Sequence, residues 1–220
     1  MTMPAAPYPI QFSIDYPDRP LNRLTSAFRI FVAIPIAIVL QSVSGAIYYV
    51  ATRPGSTDAW GNPRYTVIAG AGGLVFLGPL LMILFRKKYP RWWFDWNVEL
   101  LRFTNRVPLY ILLMDDRYPS TDEQQSLHLE YVYPDASLDL NRFLPLVKWL
   151  LVIPHFIVLL FLWLAVLVVT VIAWFAILFT GRYPRGLFDF VEGVVRWGQR
   201  VVGYAFVLAT DRYPPFSLAR

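Results

Sequence analysis

Cysteine is absent from the sequence, and charged residues make up only 16% of its 220 positions. The lack of cysteine excludes disulfide bonds, thiolate metal sites, iron–sulfur clusters and thiol catalysis. A soluble domain of this size usually carries about 25% charged residues. The low charge is therefore typical of a protein that contacts a less polar solvent than water.

Recognisable catalytic and nucleotide-binding motifs are also absent. The sequence has no phosphate-binding loop, no dinucleotide-binding glycine pattern, no zinc-protease motif and no nucleophile paired with a base. We therefore expect a protein that is not an enzyme and holds no cofactor. Nucleic-acid binding is not expected either, because 20 basic residues only modestly outnumber 15 acidic ones. That modest excess favours anionic lipid as the counter-charge.

Apolar residues, by contrast, are abundant. Hydrophobic residues make up 56% of the sequence, and the mean hydropathy is +0.45. One core of this size cannot bury so many apolar side chains, so a second apolar solvent is needed. The composition predicts an integral membrane protein.

The sequence contains an internal repeat. Rare residues match in the same order along two long stretches, which is hard to explain by chance. We therefore predict two tandem domains, residues 1–120 and 121–220. The matched segments are Leu21-Asn22-Arg23 with Leu140-Asn141-Arg142, Tyr89-Pro90-Arg91 with Tyr183-Pro184-Arg185, and Asp116-Arg117-Tyr118-Pro119 with Asp211-Arg212-Tyr213-Pro214.

The first copy is longer than the second. Pro35 matches Pro154, whereas Phe85 matches Phe179, so the spacing between the copies shrinks along the chain. The extra residues lie around positions 53–64, where glycine, proline, serine and asparagine are typical of a loop.

A short segment of alternating apolar residues opens each copy. A period of two that ends at a Tyr-Pro pair predicts a strand outside the bilayer, at its cytoplasmic face. The two strands could pair with each other. The alternating residues are Ile10, Phe12, Ile14 and Tyr16 in the first copy and Leu127, Leu129, Tyr131 and Tyr133 in the second.

Three apolar runs are long enough to cross about 30 Å of hydrocarbon. Two lie in the first copy, at residues 24–51 and 65–85, and the third covers residues 143–179 in the second. The third run could form one kinked span with residues 144–154 along the interface. It could instead form a tight hairpin of two short helices that turns near residues 160–165.

Basic residues flank both ends of the apolar region in each copy. Arg23 precedes it and Arg86 follows it in the first copy, and Arg142 and Arg182 do so in the second. The positive-inside rule places such flanks in the cytoplasm, which requires an even number of crossings per copy. We therefore expect an all-α membrane protein with four transmembrane helices, arranged as two parallel-repeat hairpins, and with both termini cytoplasmic.

Each copy ends with a predicted amphipathic helix, at residues 91–114 and 186–209. Charged residues three or four positions apart form a narrow stripe on one face of each helix. The remaining surface is almost wholly apolar, which predicts that each helix lies in the membrane interface. The stripe residues are Asp95, Glu99, Arg102 and Arg106 in the first helix and Asp189, Glu192, Arg196 and Arg200 in the second.

The two stripes allow two interpretations. In the favoured one, each stripe solvates its own surface helix and pairs its own charges, since such pairs are common and contribute little. In the other, the stripes face each other and form a polar seam for an ion or a lipid headgroup.

Three basic residues lie within the apolar runs. Arg29 and Lys148 occupy equivalent positions in the two copies. We expect them to snorkel to lipid phosphates, with a specific anionic-lipid site as the alternative. His155 is a minor candidate for a metal ligand. Its repeat counterpart is Ile36, so a buried, hydrogen-bonded histidine is the ordinary interpretation and no metal site is expected.

Several of these motifs resemble a bacterial multi-pass membrane family, domain of unknown function 4389. They are the run from Arg182 to Phe190, the pair Arg196-Trp197 and the run from Asp211 to Phe216. The second copy resembles the family closely from about residue 127 to 217, and the first is more diverged. The resemblance implies tandem copies in a bacterial cytoplasmic membrane protein and implies no activity, substrate or catalytic residue.

The leading functional hypothesis is a non-enzymatic accessory or scaffold subunit. It would pack against a larger membrane complex, associate with itself, or organise lipid, because its helices are rich in aromatic and small residues and lack catalytic groups. The alternative is a small transporter or channel with a polar path between the two copies. The expected partners are the lipid bilayer, especially anionic lipids, and other membrane subunits.

Overall fold

The computed structural model describes residues 7–44, 48–51, 57, 59–62, 65–68, 72–121 and 123–219. These residues form seven helices and four strands. In chain order they are β1 (Ile10–Ile14), α1 (Arg23–Ala27), α2 (Arg29–Ser44), β2 (Tyr48–Ala51), β3 (Tyr65–Ile68), α3 (Gly72–Arg86), α4 (Arg91–Ile111), β4 (Leu127–Tyr131), α5 (Pro145–Leu151), α6 (Ile153–Thr180) and α7 (Arg185–Ala205).

β1 and β4 confirm the two strands predicted from alternation. They pair with each other in an antiparallel ladder, with Phe12 opposite Leu129 at its centre. Phe12, Leu129 and the flanking Ile10 are buried. Two short strands are not stable alone in water, so this sheet depends on the helices that it contacts, α7 beside β1 and α4 beside β4.

α4 and α7 lie within a few residues of the predicted amphipathic segments. The sequence predicted that their apolar faces lie in the membrane interface, whereas in the structure these faces form much of the core of the protein. Phe94 and Val107 on α4 and Phe188 and Val194 on α7 are buried. The inward faces of both helices are thus covered by their own chain, whereas Trp92 and Trp96 on α4 remain exposed.

The prediction of four transmembrane helices is wrong. Residues 24–51 form the short α1, the 16-residue α2 and then β2, rather than one spanning helix. Residues 65–85 begin as β3, which pairs with β2, before the 15-residue α3 starts. Neither helix reaches the roughly 20 residues that a span needs. The loop predicted around residues 53–64 lies mostly outside the described residues.

The predicted hairpin in residues 143–179 is also wrong. This segment forms α5 and then the continuous 28-residue α6, which corresponds to the kinked span that the charge argument rejected. Residues 160–165 contain no glycine or proline, so the helix continues through them. Pro154 lies in the first turn of α6, where a missing N–H costs nothing, and Gly181 ends the helix with a φ of 74°.

α6 is the one helix, among the described residues, that is long and apolar enough to cross a membrane. Only 17% of its most apolar stretch is buried against the rest of the chain. A single buried strip, including Leu159, Val166 and Ala173, packs on the protein. On that side the Trp174 indole donates to the Ser26 carbonyl at 3.0 Å, which holds α1 against α6.

These findings correct the predicted architecture. The protein is mainly helical with two small two-stranded sheets in its described part, rather than all-α. The described residues contain one candidate span, which removes the reason for placing both termini in the cytoplasm, because that argument needed an even number of crossings.

Candidate functional site

The charged stripe of α7 is largely buried rather than solvated. Glu192 and Arg196 form an ion pair one helical turn apart, and each side chain is only 6% exposed. The Arg196 Nε also donates to the Phe12 carbonyl of β1 at 2.8 Å, and its Nη1 donates to the Leu218 carbonyl at 2.9 Å. Arg196 therefore joins α7 to both β1 and the C-terminal segment.

The stripe of α4 makes a matching contact with the other strand. The Arg102 Nε donates to the Leu129 carbonyl of β4 at 3.1 Å, and Arg102 also pairs with Glu99. Phe12 and Leu129 are partners in the strand ladder. The matched residues Arg102 and Arg196 thus bind opposite strands at the same rung.

The last arginine of each stripe holds the chain that follows its helix. Arg200 donates to the carbonyls of Ser217 at 3.2 Å and Ala219 at 2.8 Å. Arg106 donates to the Ser120 carbonyl at 2.9 Å. Burial lowers the pKa of Arg200 from its ordinary value, and the neighbouring Arg196 lowers it further.

The first acid of each stripe behaves as the favoured interpretation expected. Asp95 lies 3.7 Å from Arg91, and Asp189 lies 3.1 Å from Arg185, and all four side chains are exposed. Such surface pairs contribute about 0–1 kcal/mol. Each stripe therefore begins with a solvent-exposed ion pair at the start of its helix. It ends with a buried arginine that binds backbone carbonyls.

A hydrogen bond between uncharged side chains links α4 and α7. The Gln199 side-chain amide donates to the Asn105 side-chain oxygen at 2.6 Å. Arg102 and Arg196 are directed to the strands instead. The arrangement therefore differs from a seam in which the two charged stripes face each other.

The sequence predicted that Arg29 snorkels to lipid phosphates. In the structure Arg29 is buried within the protein and is only 2% exposed. It donates to the carbonyl of Tyr110 at 3.2 Å and to that of Asp115. Its guanidinium lies 4.1 Å from the centre of the Tyr110 ring. A cation placed at the carbonyls that end α4 stabilises the helix end, where partial negative charge collects.

Lys148 makes the equivalent contacts at the end of α7, and it too is buried rather than snorkelling. Its Nζ donates to the Thr210 carbonyl at 2.7 Å, lies 2.7 Å from the Asp211 carboxylate and sits 4.7 Å from the centre of the Tyr204 ring. Burial lowers the pKa of Lys148, and Asp211 opposes that shift.

His155 lies in an aromatic cluster at the start of α6. Its ring stacks on Phe216 at 3.9 Å between centroids, and the Trp197 indole donates to its Nδ1 at 3.0 Å. An indole nitrogen can only donate, so Nδ1 carries no proton and the ring is the neutral form protonated on Nε2. Within the described part of the chain, no group of three or more histidine, aspartate and glutamate side chains is placed to hold a metal ion.

A cavity of about 800 Å³ opens between β1, α7 and the C-terminal segment. Arg196 and Arg200 form part of its wall together with Tyr8, Arg212 and Tyr213. The sequence-based prediction included only the first two. Arg212 and Tyr213 belong to the Asp-Arg-Tyr-Pro motif that occurs twice in the sequence, which was the available signal, whereas Tyr8 was marked only by its Tyr-Pro pair, a pattern that indicates a chain boundary rather than a binding site.

Burial of Tyr89 and Tyr183 makes the free energy of unfolding depend on pH in the alkaline range. Burial raises the pKa values of Tyr89 and Tyr183 well above 10.0. The unfolded chain releases these protons near pH 10, whereas the folded chain keeps them. The unfolded state therefore binds fewer protons above that pH, and the free energy of unfolding falls as pH rises.

We expect that fall to be about 1.4 kcal/mol per pH unit for each of the two tyrosines above pH 10. Chemical unfolding in neutral detergent, followed by tryptophan fluorescence at several alkaline pH values, measures it. Tyr89→Phe and Tyr183→Phe should each reduce the slope. An unchanged slope in the double variant would contradict the assignment.

The fold and these contacts define a helical protein whose described residues contain one candidate membrane-spanning helix and a core built from two helix–strand pairs. Residues 145–217 match the family model of the Domain of unknown function (DUF4389). The match covers the second predicted copy, from α5 to the C-terminal segment, and not the first. Comparisons with curated proteins and with solved structures found no match.

Proposed function

We propose that this protein is a non-enzymatic accessory or scaffold protein embedded in a membrane by α6, where it organises lipid or packs against a larger membrane complex. The observation that carries the proposal is the exposure of α6. Only 17% of its most apolar stretch is buried against the described part of the chain, and exposed residues such as Leu164, Leu167 and Ile172 lie near its middle.

The energy of this surface favours a bilayer over water. Apolar surface left in water costs about 25 cal/mol per Å², and soluble monomers rarely expose apolar patches above a few hundred Å². A helix of 28 residues is about 42 Å long, which exceeds the roughly 30 Å of hydrocarbon and permits a tilted span.

The proposal includes a tandem origin for the two halves of the chain. Its support is the set of doubled contacts: Arg102 and Arg196 bind the two strands, and Arg29 and Lys148 bind the ends of α4 and α7. The strands are exchanged, because the helix of each half binds the strand that opens the other. Because of this exchange, the two halves could separate only if the sheet formed by β1 and β4 were broken.

A charge placed in the middle of α6 tests the membrane anchor. We expect Leu164→Arg combined with Leu167→Arg to lower the membrane-bound fraction strongly, since each arginine costs about 2.5–3.5 kcal/mol at a helix centre. Alkaline carbonate extraction followed by flotation measures the bound fraction.

The matched control is Leu24→Arg combined with Leu138→Arg, two leucines that are 70% and 84% exposed outside α6. This control should remain membrane-bound like the wild type. Recovery of the wild-type protein in the soluble fraction, or equal flotation of both double variants, would overturn the anchor.

Native mass spectrometry of the protein extracted from its own membrane tests the accessory role. We expect bound lipid or a stoichiometric subunit to remain attached in mild detergent. A bare monomer that carries neither would contradict the proposal even if α6 spans the membrane. No observation favours the transporter alternative, because Arg102 and Arg196 bind strand carbonyls and Gln199 and Asn105 bind each other between α4 and α7.

A further inference from the structure

The cavity between β1, α7 and the C-terminal segment has an excess of positive charge. Three arginines, Arg196, Arg200 and Arg212, form part of its wall, and one carboxylate, that of Glu130, also lines it. His128 also lines the cavity, and its imidazole Nε2 lies 2.9 Å from the Asp15 carboxylate. The volume of about 800 Å³ is in the range of small-ligand sites, about 300–1,000 Å³.

Arg200 is the unbalanced charge in this wall. Arg196 is paired with Glu192, whereas no carboxylate among the described residues pairs with Arg200. Arg200 is 5% exposed, and its two Nη atoms donate to the neutral carbonyls of Ser217 and Ala219. Its Nε is buried and has no hydrogen-bond partner.

A buried guanidinium without a counter-ion is costly, because carbonyl dipoles replace only part of its hydration. Arg200 lines the adjacent cavity, so an anion bound there would balance the charge. Guanidinium groups bind phosphate with strong, directional hydrogen bonds. Arg212 lines the same cavity, and the guanidinium groups of Arg200 and Arg212 are 5.9 and 5.7 Å from the centre of the Tyr8 ring.

We propose that this cavity binds the phosphate group of an anionic ligand, with Arg200 as the buried donor and Arg212 as the exposed one. Nothing in the family match assigns such a site. Arg196 contributes positive charge to the wall but is already bound to Glu192 and to the backbone.

The cavity adjoins the start of α6, which makes a phospholipid headgroup the favoured source of the phosphate. Tyr213 lines the cavity, and its hydroxyl donates to the Leu151 carbonyl at the end of α5 at 2.9 Å. Its ring also lies 4.9 Å from that of His155 in the first turn of α6. If α6 spans a bilayer, a headgroup at this level lies near the cavity mouth.

Thermal unfolding of the full-length protein in neutral detergent micelles tests the site. The probes are inorganic phosphate, micelles doped with phosphatidylglycerol and micelles doped with phosphatidylcholine, all at one ionic strength held with chloride. A ligand that binds only the folded state raises the unfolding midpoint. We expect phosphatidylglycerol to raise the midpoint and phosphatidylcholine to leave it unchanged.

Two variants connect that rise to the cavity. Arg200→Gln and Arg212→Gln should each weaken binding about tenfold or more, the loss expected for one charge-assisted hydrogen bond. Arg212→Gln is the decisive variant if Arg200→Gln does not fold, since Arg212 is exposed. The matched control is Arg106→Gln, which removes the counterpart arginine that holds Ser120, and it should bind like the wild type.

The outcomes separate the possible ligands. A rise with phosphatidylglycerol that is lost in Arg212→Gln supports a lipid headgroup, and a rise with inorganic phosphate that is lost in the same variant supports a soluble phosphate ligand. The proposal is overturned if neither probe shifts the midpoint, or if Arg106→Gln and Arg212→Gln lose the shift equally. Because the assay is done in detergent, its result is independent of whether α6 anchors the protein in a membrane.

Discussion

Replacing Lys148 by methionine is expected to lower the free energy of unfolding by about 3–5 kcal/mol, the usual cost of removing one partner of a buried ion pair. Methionine keeps the apolar stem but removes the ammonium that holds Thr210 and Asp211. Asp211 then loses its cationic partner at a position where its side chain is 20% exposed, and the end of α7 loses its cation. Chemical unfolding in neutral detergent measures the loss.

Two other substitutions make the Lys148 result specific. Lys88→Met removes the same charge from an exposed position and should change stability by less than about 0.5 kcal/mol. Lys148→Arg should recover part of the loss, because the equivalent Arg29 makes the same carbonyl and aromatic contacts at the end of α4. Equal stability of Lys148→Met and the wild type would show that this cation is not structural.

Gly203→Val is expected to destabilise the protein by about 3 kcal/mol or to prevent folding, because it would overfill a packed core. A Cβ atom at Gly203 would lie 2.1 Å from the Ile10 Cδ1 and 2.6 Å from the Tyr131 Cε1. Ile10 and Tyr131 face each other across the β1–β4 ladder. The absence of a side chain at Gly203 therefore lets α7 approach the paired strands closely.

Gly198→Val is the matched control on the same helix. A Cβ atom there meets nothing within 4 Å, so we expect a change below about 0.5 kcal/mol. Thermal unfolding of both variants in the same detergent gives the comparison. If Gly198→Val and Gly203→Val were equally stable, the close contact between α7 and the strands would not be needed for the fold.

The strands and the core helices show which structural features local sequence patterns can predict. Alternating residues predicted β1 and β4, and stripe spacing predicted helices near α4 and α7, because these patterns depend only on neighbours along the chain. The sequence did not show what the apolar faces of α4 and α7 pack against. The same apolar face can pack on a lipid surface or on a strand, and hydrophobic spacing is identical in the two cases.

The predicted spans failed for a different reason. Apolar length and flanking charge treated residues 24–51 as one span, although β2 begins at Tyr48 and pairs with β3. In residues 143–179 the positive-inside rule outweighed the absence of a turn-forming residue at 160–165. Local helix propensity prevailed there, because a hairpin without glycine or proline would leave backbone groups unpaired in an apolar run.

The charged residues show what can be predicted from the sequence and what depends on the tertiary structure. Composition and matched motifs were enough to select Arg29, Lys148 and the arginines of the stripes, since these residues are unusual in an apolar sequence. Their burial depended on partners far along the chain: Arg29 binds a carbonyl 81 positions away, and Arg196 binds one 184 positions away. Only folding brings such atoms together, and a charge that reaches a backbone carbonyl inside the protein no longer needs lipid phosphate or water.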